Sequence, residues 1–493
     1  MRKARLSSQP EDVLAFTSSL AADRWIFDAD LAVDRAHVVM LAEESIITTE
    51  ISSLILSALD KIQDAGISAL PVEEDIHAAI EARLIEMVGE DVGGRMHTGR
   101  SRNDEVATDI RVRLRDELLM MMRELIGLRQ VLITCAKEHV ETLMPGFTHT
   151  QHAQPTTLAH HLLAHAGALE RDFDRLSGAY TRTNRSPLGA AAFAGTGFPI
   201  NRARTSELLG FDGVIENSMD AVSARDFSIE SVSASALLMT NLSRIASELI
   251  LWSTSEFDFV TIDDRYASTS SIMPQKKNPD VAELVRGKAG SVIAAAVGIL
   301  TITKALPQSY NRDLQEATPH LWSAVSDTLA SIRMTTGMID TMEVYRENLL
   351  RQATAGFAMA TELADTLVRS CGISFRTAHQ IVGTLARAGS QPSLVAIDEI
   401  GLSLTGKRMS DLGLDEQVIS DALDPVASIR TRKSGGPAPD DVLRVTLVFE
   451  EKLQEDMALL DLRCGRVEEA MEMLRHTLQK YENPILGLSE KCT

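Results

Sequence analysis

Apolar residues recur every three or four positions along a long segment that follows Val106. They occupy Ile110, Leu114, Leu118, Met121, Leu125, Leu128, Leu132 and Cys135. This spacing places them on one face of a helix, and no proline interrupts the chain until Pro145. The pattern predicts a helix over about residues 105–140, roughly 50 Å long at 1.5 Å per residue. A helix of this length needs other long helices to cover its apolar face.

Two further segments, Val232–Phe257 and Val281–Ala305, are also long and free of proline. Both are apolar around most of their circumference, which predicts helices buried on all sides in a bundle. A terminal helix is predicted from about Val442 to Gln479 after the loop Ser434–Pro439, and strand signals are weak everywhere. The fold class is therefore predicted to be all-α, with three domains and a long central helical bundle.

Chain-breaking residues divide the sequence into three parts. One boundary lies near the glycine-rich stretch Val92–Ser101 and another near Glu343–Gly356, after which shorter helices resume. We predict an N-terminal helical domain over residues 1–104, a central long-helix bundle over 105–355 and a C-terminal helical domain over 356–493.

Charge and cysteine content narrow the class of protein. Asp and Glu number 69 against 49 Lys and Arg, a net charge of −20, which argues against a protein that coats nucleic acid or anionic membrane. The four cysteines lack the spacing of zinc or redox sites and indicate reduced thiols. The first twenty residues lack the apolar stretch of a secretory signal. The run Ala289–Thr303 is too short to span a bilayer and predicts a buried helix. We expect a cytoplasmic protein.

Three polar segments stand out from this apolar scaffold. The first is His97–Asp104, at the start of the long predicted helix. Ser101, Asn103 and Asp104 could each cap that helix, with the two arginines of the segment solvated. Alternatively, the exposed N–H groups, hydroxyls and arginines could form a carboxylate or phosphate site. The segment alone leaves both interpretations open.

The second polar segment is Pro145–Pro155, followed by three more histidines. His161 and His165 are four residues apart and share a helix face, which raises a metal hypothesis. No Glu of the metalloprotease motif lies between them and no further ligand cluster is evident, so the metal hypothesis is the weaker one. His149, in a loop between two prolines, suits proton transfer or hydrogen bonding better.

The third polar segment is Ser268–Asp280, directly before the predicted helix that begins near Val281. Its Asn-Pro-Asp sequence could be an ordinary turn and its paired lysines ordinary surface residues. That interpretation leaves the hydroxyls, lysine and asparagine of one polar loop unexplained. Glu283 is placed on the first turn of the following helix.

Together and in this order, the three segments resemble the fumarase and aspartase superfamily, and within it the argininosuccinate lyase family. The third segment is similar to the superfamily signature Gly-Ser-x-x-Met-Pro-x-Lys-x-Asn. His97–Asp104 with Val106–Asp109 is similar to the segment that distinguishes this lyase family. Further similarity runs through Ser186–Gly189, Asn217–Asp220, Arg225–Phe227, Tyr310–Glu316, Phe375–His379 and Gly435–Pro439.

The resemblance implies a reversible β-elimination in arginine biosynthesis. Argininosuccinate would be split into L-arginine and fumarate through a carbanion (aci-carboxylate) intermediate, without a metal or an organic cofactor. It also implies a homotetramer whose central helices merge into a 20-helix core, with each active site built from three subunits. Long helices that are apolar all round are consistent with such an assembly.

The resemblance also assigns roles to residues. Ser270 would be the base, and Lys276 and Asn278 would bind the doubly charged carboxylate of the intermediate. His149 is the candidate acid, with Glu283 as the partner that orients and charges it. The residues expected to bind substrate are Ser19, Ser101, Arg102, Asn103, Thr148, Arg225, Tyr310 and Gln315.

The chain departs from the family pattern at several positions. Thr269 replaces the leading glycine of the signature, Glu105 a usual Gln, His152 a frequent Arg, Thr318 a common Lys and Asp34 a frequent Ser. These departures leave the reaction type in place and put the distal substrate contacts in question. Two other hypotheses stay open: an elimination on adenylosuccinate, fumarate or aspartate, and a non-catalytic structural protein built on the same scaffold.

Overall fold

A computed structural model describes residues 10–482; Cys492 and the outer ends of the first and third predicted domains lie outside this range. Its α-helices are Glu11–Thr17 (α1), Leu20–Asp23 (α2), Phe27–Glu43 (α3), Thr49–Ala65 (α4), Ile76–Val88 (α5), Glu90–Gly93 (α6), Arg102–Glu138 (α7), Leu158–Thr183 (α8), Arg202–Leu208 (α9), Ser218–Ser223 (α10), Asp226–Trp252 (α11), Asp280–Thr303 (α12), Ala317–Thr341 (α13), Arg346–Ala353 (α14), Ala360–Cys371 (α15), Phe375–Ala388 (α16), Leu394–Thr405 (α17), Glu416–Leu423 (α18), Pro425–Thr431 (α19) and Pro439–Glu482 (α20).

Short strands and 3-10 helices complete the described chain. The strands are Leu143–Thr148 (β1), Gln151–Thr157 (β2), Val260–Thr261 (β3), Ser268–Thr269 (β4), Lys277–Asn278 (β5) and Glu343–Val344 (β6). They form three two-stranded antiparallel sheets, β1 with β2, β3 with β6 and β4 with β5. The 3-10 helices are Ile67–Ala69, Asp264–Tyr266, Arg312–Glu316 and Ser410–Leu412.

The longest predicted helix is confirmed. α7 spans 37 residues, about 55 Å at 1.5 Å per residue, and its inward face carries the predicted apolar positions. α8, α11, α12 and α13 pack with α7 into one bundle, and the 44-residue α20 lies along α7 and α8. The prediction of an all-α fold with a long central bundle is confirmed.

The remaining helices flank this bundle. α3, α4 and α5 pack on one another, α3 also contacts α7, and their side chains belong to the same hydrophobic core as the bundle. A second, smaller core is built mainly by α15, α16, α17 and α18. The division into domains at residues 104 and 355 stays a prediction.

One expectation about strands is wrong. The segment predicted as a loop between Pro145 and Pro155 is a β-hairpin, in which Thr148 pairs with Gln151 and Leu143 pairs with Thr157. His149 and Thr150 form its two-residue turn with φ of 54° and 58°, as in a type I′ turn. The turn lacks the usual Asn-Gly signal of such hairpins, which is why the sequence pattern did not reveal it.

Within one chain α12 is buried on one side only, and its burial on all sides in a bundle of several chains stays a prediction. Its buried residues follow one stripe facing α11 and α13: Ala282, Val285, Ala289, Val292, Ala295 and Ile299. On the opposite side Leu284 is 62% exposed and Val297 is 59% exposed. By length and composition α12 could cross a membrane; in this fold it forms one wall of the bundle, with an uncovered apolar face.

Candidate active site

The start of α7 is fixed by its own side chains. Ser101 is the N-cap residue, and its Oγ accepts a hydrogen bond from the Asn103 N–H at 3.3 Å. Asp104 completes a capping box by accepting from the Ser101 N–H at 2.9 Å. The second oxygen of Asp104 accepts from the N–H groups of Gly189 and Ala191 at 2.9 and 2.8 Å. One buried carboxylate therefore anchors a neighbouring loop to the start of this helix.

A cavity of about 400 Å³ opens beside the N-terminus of α7. It brings together residues from five separate parts of the chain. Its lining includes six of the predicted substrate-binding residues: Ser19, Arg102, Asn103, Arg225, Tyr310 and Gln315. The structure thus groups residues that the sequence placed up to about 300 positions apart.

Positively and negatively charged side chains both line this cavity. Three guanidinium groups, from Arg102, Arg225 and Arg312, face three carboxylates, from Asp23, Glu74 and Asp75. A site of this kind suits a small ligand that itself carries both carboxylates and a cation. Sequence reasoning missed Arg312 and the three acids; the arginine lies inside the Tyr310–Glu316 segment, which was the one available signal.

Arg225 is the most buried cation of the cavity. Its Nη1 donates to the carbonyls of Val222 and Ala224 at 3.3 and 2.8 Å, which holds the guanidinium in place. Burial lowers its pKa to about 10, while the neighbouring Tyr310 acts to raise it. Burial also raises the pKa of the Tyr310 hydroxyl, against the effect of Arg225. The tyrosine therefore keeps its proton as a hydrogen-bond donor at neutral pH.

Three predicted polar residues at this end already have partners. Ser19 Oγ donates to Asp23 at 2.7 Å, Arg102 lies 3.2 Å from Asp75, and Asn103 Nδ2 donates to the Ala192 carbonyl at 3.1 Å. These contacts orient the side chains before a ligand binds. They also show that Arg102 is not simply a solvated surface arginine.

The tip of the β1–β2 hairpin carries Thr148 and His149, both exposed. Behind the tip, the Phe147 ring contacts His152 edge-on at 5.1 Å and packs against Phe257 and Phe259. This aromatic cluster fixes the base of the hairpin while its turn extends from the surface. Neither Thr148 nor His149 lines the 400 Å³ cavity of the same chain.

The Ser268–Asp280 segment is a small hairpin with an exposed loop between β4 and β5. Ser270 Oγ accepts hydrogen bonds from the N–H groups of Ile272 and Met273, at 3.3 and 3.1 Å. Lys277 pairs with Asp264 at 2.6 Å. Among the described residues Lys276 has no ion-pair partner, so its ammonium is available to an anion.

The predicted catalytic residues thus fall into two places. Ser270, Lys276 and Asn278 share one loop, with Glu283 exposed on the first turn of α12, while His149 lies at the tip of the other hairpin. None of these five lines the cavity that holds the six predicted binding residues. Ser101, the cap of α7, does not line the cavity either. One chain therefore does not assemble the whole predicted site around one cavity.

Beside the cavity lies a buried ionic cluster that sequence reasoning missed. Arg100 Nη2 is 2.5 Å from Asp34 and 2.8 Å from Glu105. Two of the residues that differ from the family pattern therefore contact the same arginine. His77, which also lines the cavity, lies 2.9 Å from Asp30 and 3.6 Å from Asp109. Of the two interpretations of the first segment, the one in which both arginines are solvated does not hold for Arg100, which is buried. The sequence did carry a signal for this cluster. Two helices each have two acids four residues apart, Asp30 and Asp34 on α3 and Glu105 and Asp109 on α7.

Burial is the largest effect on the pKa values of the cluster residues Glu105, Asp34 and His77. Burial raises the pKa of Glu105 to about 8 and that of Asp34 to about 6, although Arg100 opposes both shifts. Burial works against the charged form of His77 as well, yet Asp30 and other carboxylates raise its pKa well above the usual value. The cluster therefore holds protons at neutral pH next to the cavity.

Comparison with known proteins places the chain in a family. A family model described as "Lyase" matches residues 7–294, and one described as "Argininosuccinate lyase C-terminal" matches residues 357–430. The chain is 57% identical to an argininosuccinate lyase of Methanosarcina barkeri (strain Fusaro / DSM 804), over 98% of this chain and 99% of the relative. It is 49% identical to the argininosuccinate lyase of Methanocaldococcus jannaschii, over 96% and 98% of the two chains.

Solved structures agree with these matches. An EDDS lyase in complex with formate is 36% identical with a TM-score of 0.86, over 93% of this chain and 92% of that one. A class II fumarase from Schistosoma mansoni has a TM-score of 0.69 at 15% identity, over 82% and 90% of the two chains, and shows the shared fold alone. The chain belongs to the argininosuccinate lyase family, within the fumarase and aspartase type of carbon-nitrogen lyases.

Proposed function

We propose that the chain catalyses the reversible elimination of argininosuccinate to fumarate and L-arginine, as a step of arginine biosynthesis. The observation that carries this proposal is the cavity with three guanidinium groups facing three carboxylates. Argininosuccinate has carboxylates at both ends and a guanidinium group between them. A cavity lined with both signs of charge can neutralise each part of such a molecule, and full-length similarity to argininosuccinate lyases supports the same substrate.

In the proposed mechanism Ser270 removes the proton next to a succinyl carboxylate. A free serine hydroxyl is a poor base at neutral pH, so the alkoxide form needs stabilisation. Two backbone N–H groups already point at Ser270 Oγ. Fixed N–H donors of this kind stabilise a negatively charged oxygen without reorganisation, which suits Ser270 to act as the base once the loop is shielded from water.

Lys276 and Asn278 are proposed to hold the carboxylate that gains charge in the intermediate. They follow Ser270 by six and eight residues in the same small hairpin. The carbanion spreads its charge onto this carboxylate, so a cation and an amide donor there stabilise the transition state more than the bound substrate. The unpaired Lys276 is suited to this task, whereas Lys277 is occupied by Asp264.

We propose His149 as the acid that protonates the leaving guanidino nitrogen, with Glu283 orienting and charging it. The exposed hairpin tip can present the imidazole to a cavity formed by another chain. Ser101 and Thr148 are proposed to bind the succinyl carboxylates together with Asn103, Arg102 and Arg225. Residues from the Tyr310–Glu316 segment and Ser19 would surround the arginine half.

The proposed assembly is a homotetramer in which α12 and its symmetry copies meet. The uncovered face of α12 carries large apolar residues, and a Cβ added at Gly287 or Gly290 would meet no atom within 4 Å in one chain. Small residues beside exposed Leu and Val permit close packing of another helix. Such contacts would bring hairpin, loop and cavity from different chains together, which the separation of these groups in one chain requires.

We further propose the three-domain division at residues 104 and 355 and a cytoplasmic location. The two family models match residues 7–294 and 357–430, so the second proposed boundary falls between them. Cys135, Cys371 and Cys464 are free thiols, as a reducing compartment allows.

The reaction is tested by incubating the purified protein with argininosuccinate and, separately, with adenylosuccinate, fumarate plus ammonia, and aspartate, while following fumarate by its absorbance. We expect activity with argininosuccinate. Activity confined to another substrate would overturn the substrate assignment, and no activity with any of them would favour the structural-protein hypothesis.

Two lysine variants and one serine variant test the mechanism. Ser270→Ala and Lys276→Met are each expected to lower kcat by about 10³-fold or more, since they remove the base and the cation at the intermediate. Lys277→Met is the matched control, because its ammonium pairs with Asp264 outside the proposed site. Equal losses in the two lysine variants, or full turnover in Ser270→Ala, would refute the assigned roles.

A further inference from the structure

Three metal-ligating side chains meet on the bundle away from the cavity. His161 and His165 lie one turn apart on α8, and Glu248 extends from the neighbouring α11. His161 Nε2 is 2.8 Å and His165 Nε2 is 2.7 Å from the same oxygen, Glu248 Oε2. In the sequence the two histidines had no evident third ligand. The packing of α11 on α8 brings Glu248, which is 83 residues from His165, into contact with both.

The geometry is close to that of a three-ligand zinc site. Ligands of tetrahedral zinc lie about 2.0–2.2 Å from the metal and hence about 3.3 Å from each other. The three donor atoms of this cluster all lie within 4.8 Å of one another. The two imidazole–carboxylate distances are about 0.5 Å shorter than this ligand–ligand spacing, and the Glu248 side chain is 32% exposed.

The surroundings favour a metal over a simple ion pair. The Trp252 ring contacts His161 edge-on with centroids 5.0 Å apart, which fixes the plane of that imidazole. The His161 side chain is 28% exposed, so the cluster is in contact with solvent.

Other candidate clusters are less suited. Asp30, His77 and Asp109 also converge, but they are buried close to the Arg100 guanidinium, whose charge opposes a second cation. His160, adjacent to the proposed ligands, is occupied by Thr156 and the carbonyl of Gly435. The ligand set of two imidazoles and one carboxylate is one that zinc accepts readily.

We propose that His161, His165 and Glu248 bind one divalent transition-metal ion, preferentially Zn²⁺, as a structural cross-link between α8 and α11. The ion takes no part in the elimination, because none of its three ligands lines the arginine-lined cavity or belongs to the Ser268–Asp280 segment. This role differs from the metal-free expectation drawn from the family resemblance. Zinc that binds only the folded chain raises its thermal midpoint, by about 3 °C at 100-fold excess over Kd.

The test uses the full-length protein stripped with a chelator and titrated with Co²⁺, whose tetrahedral complexes absorb visible light, followed by displacement with Zn²⁺. We expect one ion per chain in the wild type and at least 10-fold weaker binding in Glu248→Gln and His165→Asn. His476→Asn, which removes an exposed imidazole on α20, is the matched control and should bind normally.

Several results would overturn the proposal. These are absence of the cobalt spectrum in the wild type, unchanged binding in Glu248→Gln, or equal loss in the His476→Asn control. Circular dichroism checks that each variant is folded, and the isosteric Glu248→Gln keeps the packing of α11. Elimination activity is measured in parallel and should survive chelation, so failure of this site and failure of the proposed reaction are distinguishable.

Discussion

Replacing Glu105 with glutamine should make the protein more stable at neutral and alkaline pH. The Glu105 carboxyl is 2% exposed and lies 2.8 Å from the Arg100 guanidinium. Burial outweighs that contact and raises its pKa from 4.5 to about 8. In the unfolded chain the carboxyl loses its proton near pH 4.5, whereas the folded protein retains it until about pH 8. Wild-type stability therefore falls as pH rises through this window.

The size of the effect follows from the shift. Between pH 4.5 and pH 7, an interval of about 2.5 pH units, the carboxyl is ionised in the unfolded chain and protonated in the folded one. Each pH unit of this interval lowers the free energy of unfolding by about 1.4 kcal/mol. The wild type thus loses about 3 kcal/mol of unfolding free energy by pH 7, and Glu105→Gln avoids this loss. An unfolding entropy of about 1 kcal/mol per kelvin for a chain of this size converts the difference to roughly 3 °C.

The assay is differential scanning calorimetry of wild type and Glu105→Gln at pH 5, 6, 7 and 8. The two midpoints should nearly coincide at pH 5 and then separate, with the variant higher. Glu472→Gln removes an exposed carboxylate from α20 and should follow the wild type at every pH. A constant offset, or a variant that becomes less stable as pH rises, would show that the pair with Arg100 outweighs burial and would refute the reasoning.

Three further changes test other parts of the fold. Gly337→Ala would place a Cβ on the Tyr266 hydroxyl and ring, so the midpoint should fall by about 2 °C or more in calorimetry; an unchanged midpoint would contradict this packing. Thr150→Gly removes a β-branched residue from positive φ in the hairpin turn, so hydrogen exchange of β1 and β2 should slow by several-fold; faster exchange would contradict it. Val297→Glu places a charge on the uncovered face of α12 and should shift the sedimenting species to smaller oligomers, while Val395→Glu, 67% exposed on α17, should not; intact tetramers in both would refute the proposed interface.

Sequence periodicity predicted the elements whose formation depends on local pattern. α7 follows its three-four spacing and its Ser101 cap, and α12 and α20 begin close to the expected residues. The β1–β2 hairpin was missed because its turn residues, His149 and Thr150, are not the residues that normally adopt positive φ. Its strands are held by cross-strand pairing, which a one-dimensional pattern does not show.

The sequence by itself determined the helical class, the long bundle and the three polar segments that point to the lyase family. Each of these depends on residues close in the chain, through helix periodicity, capping and motif spacing. Only the tertiary structure decided that Arg100 is buried between Asp34 and Glu105, and that Glu248 meets His161 from another helix. These contacts join α3 with the start of α7 and α8 with α11, and the packing of those helices sets the distance, burial and charge of the residues.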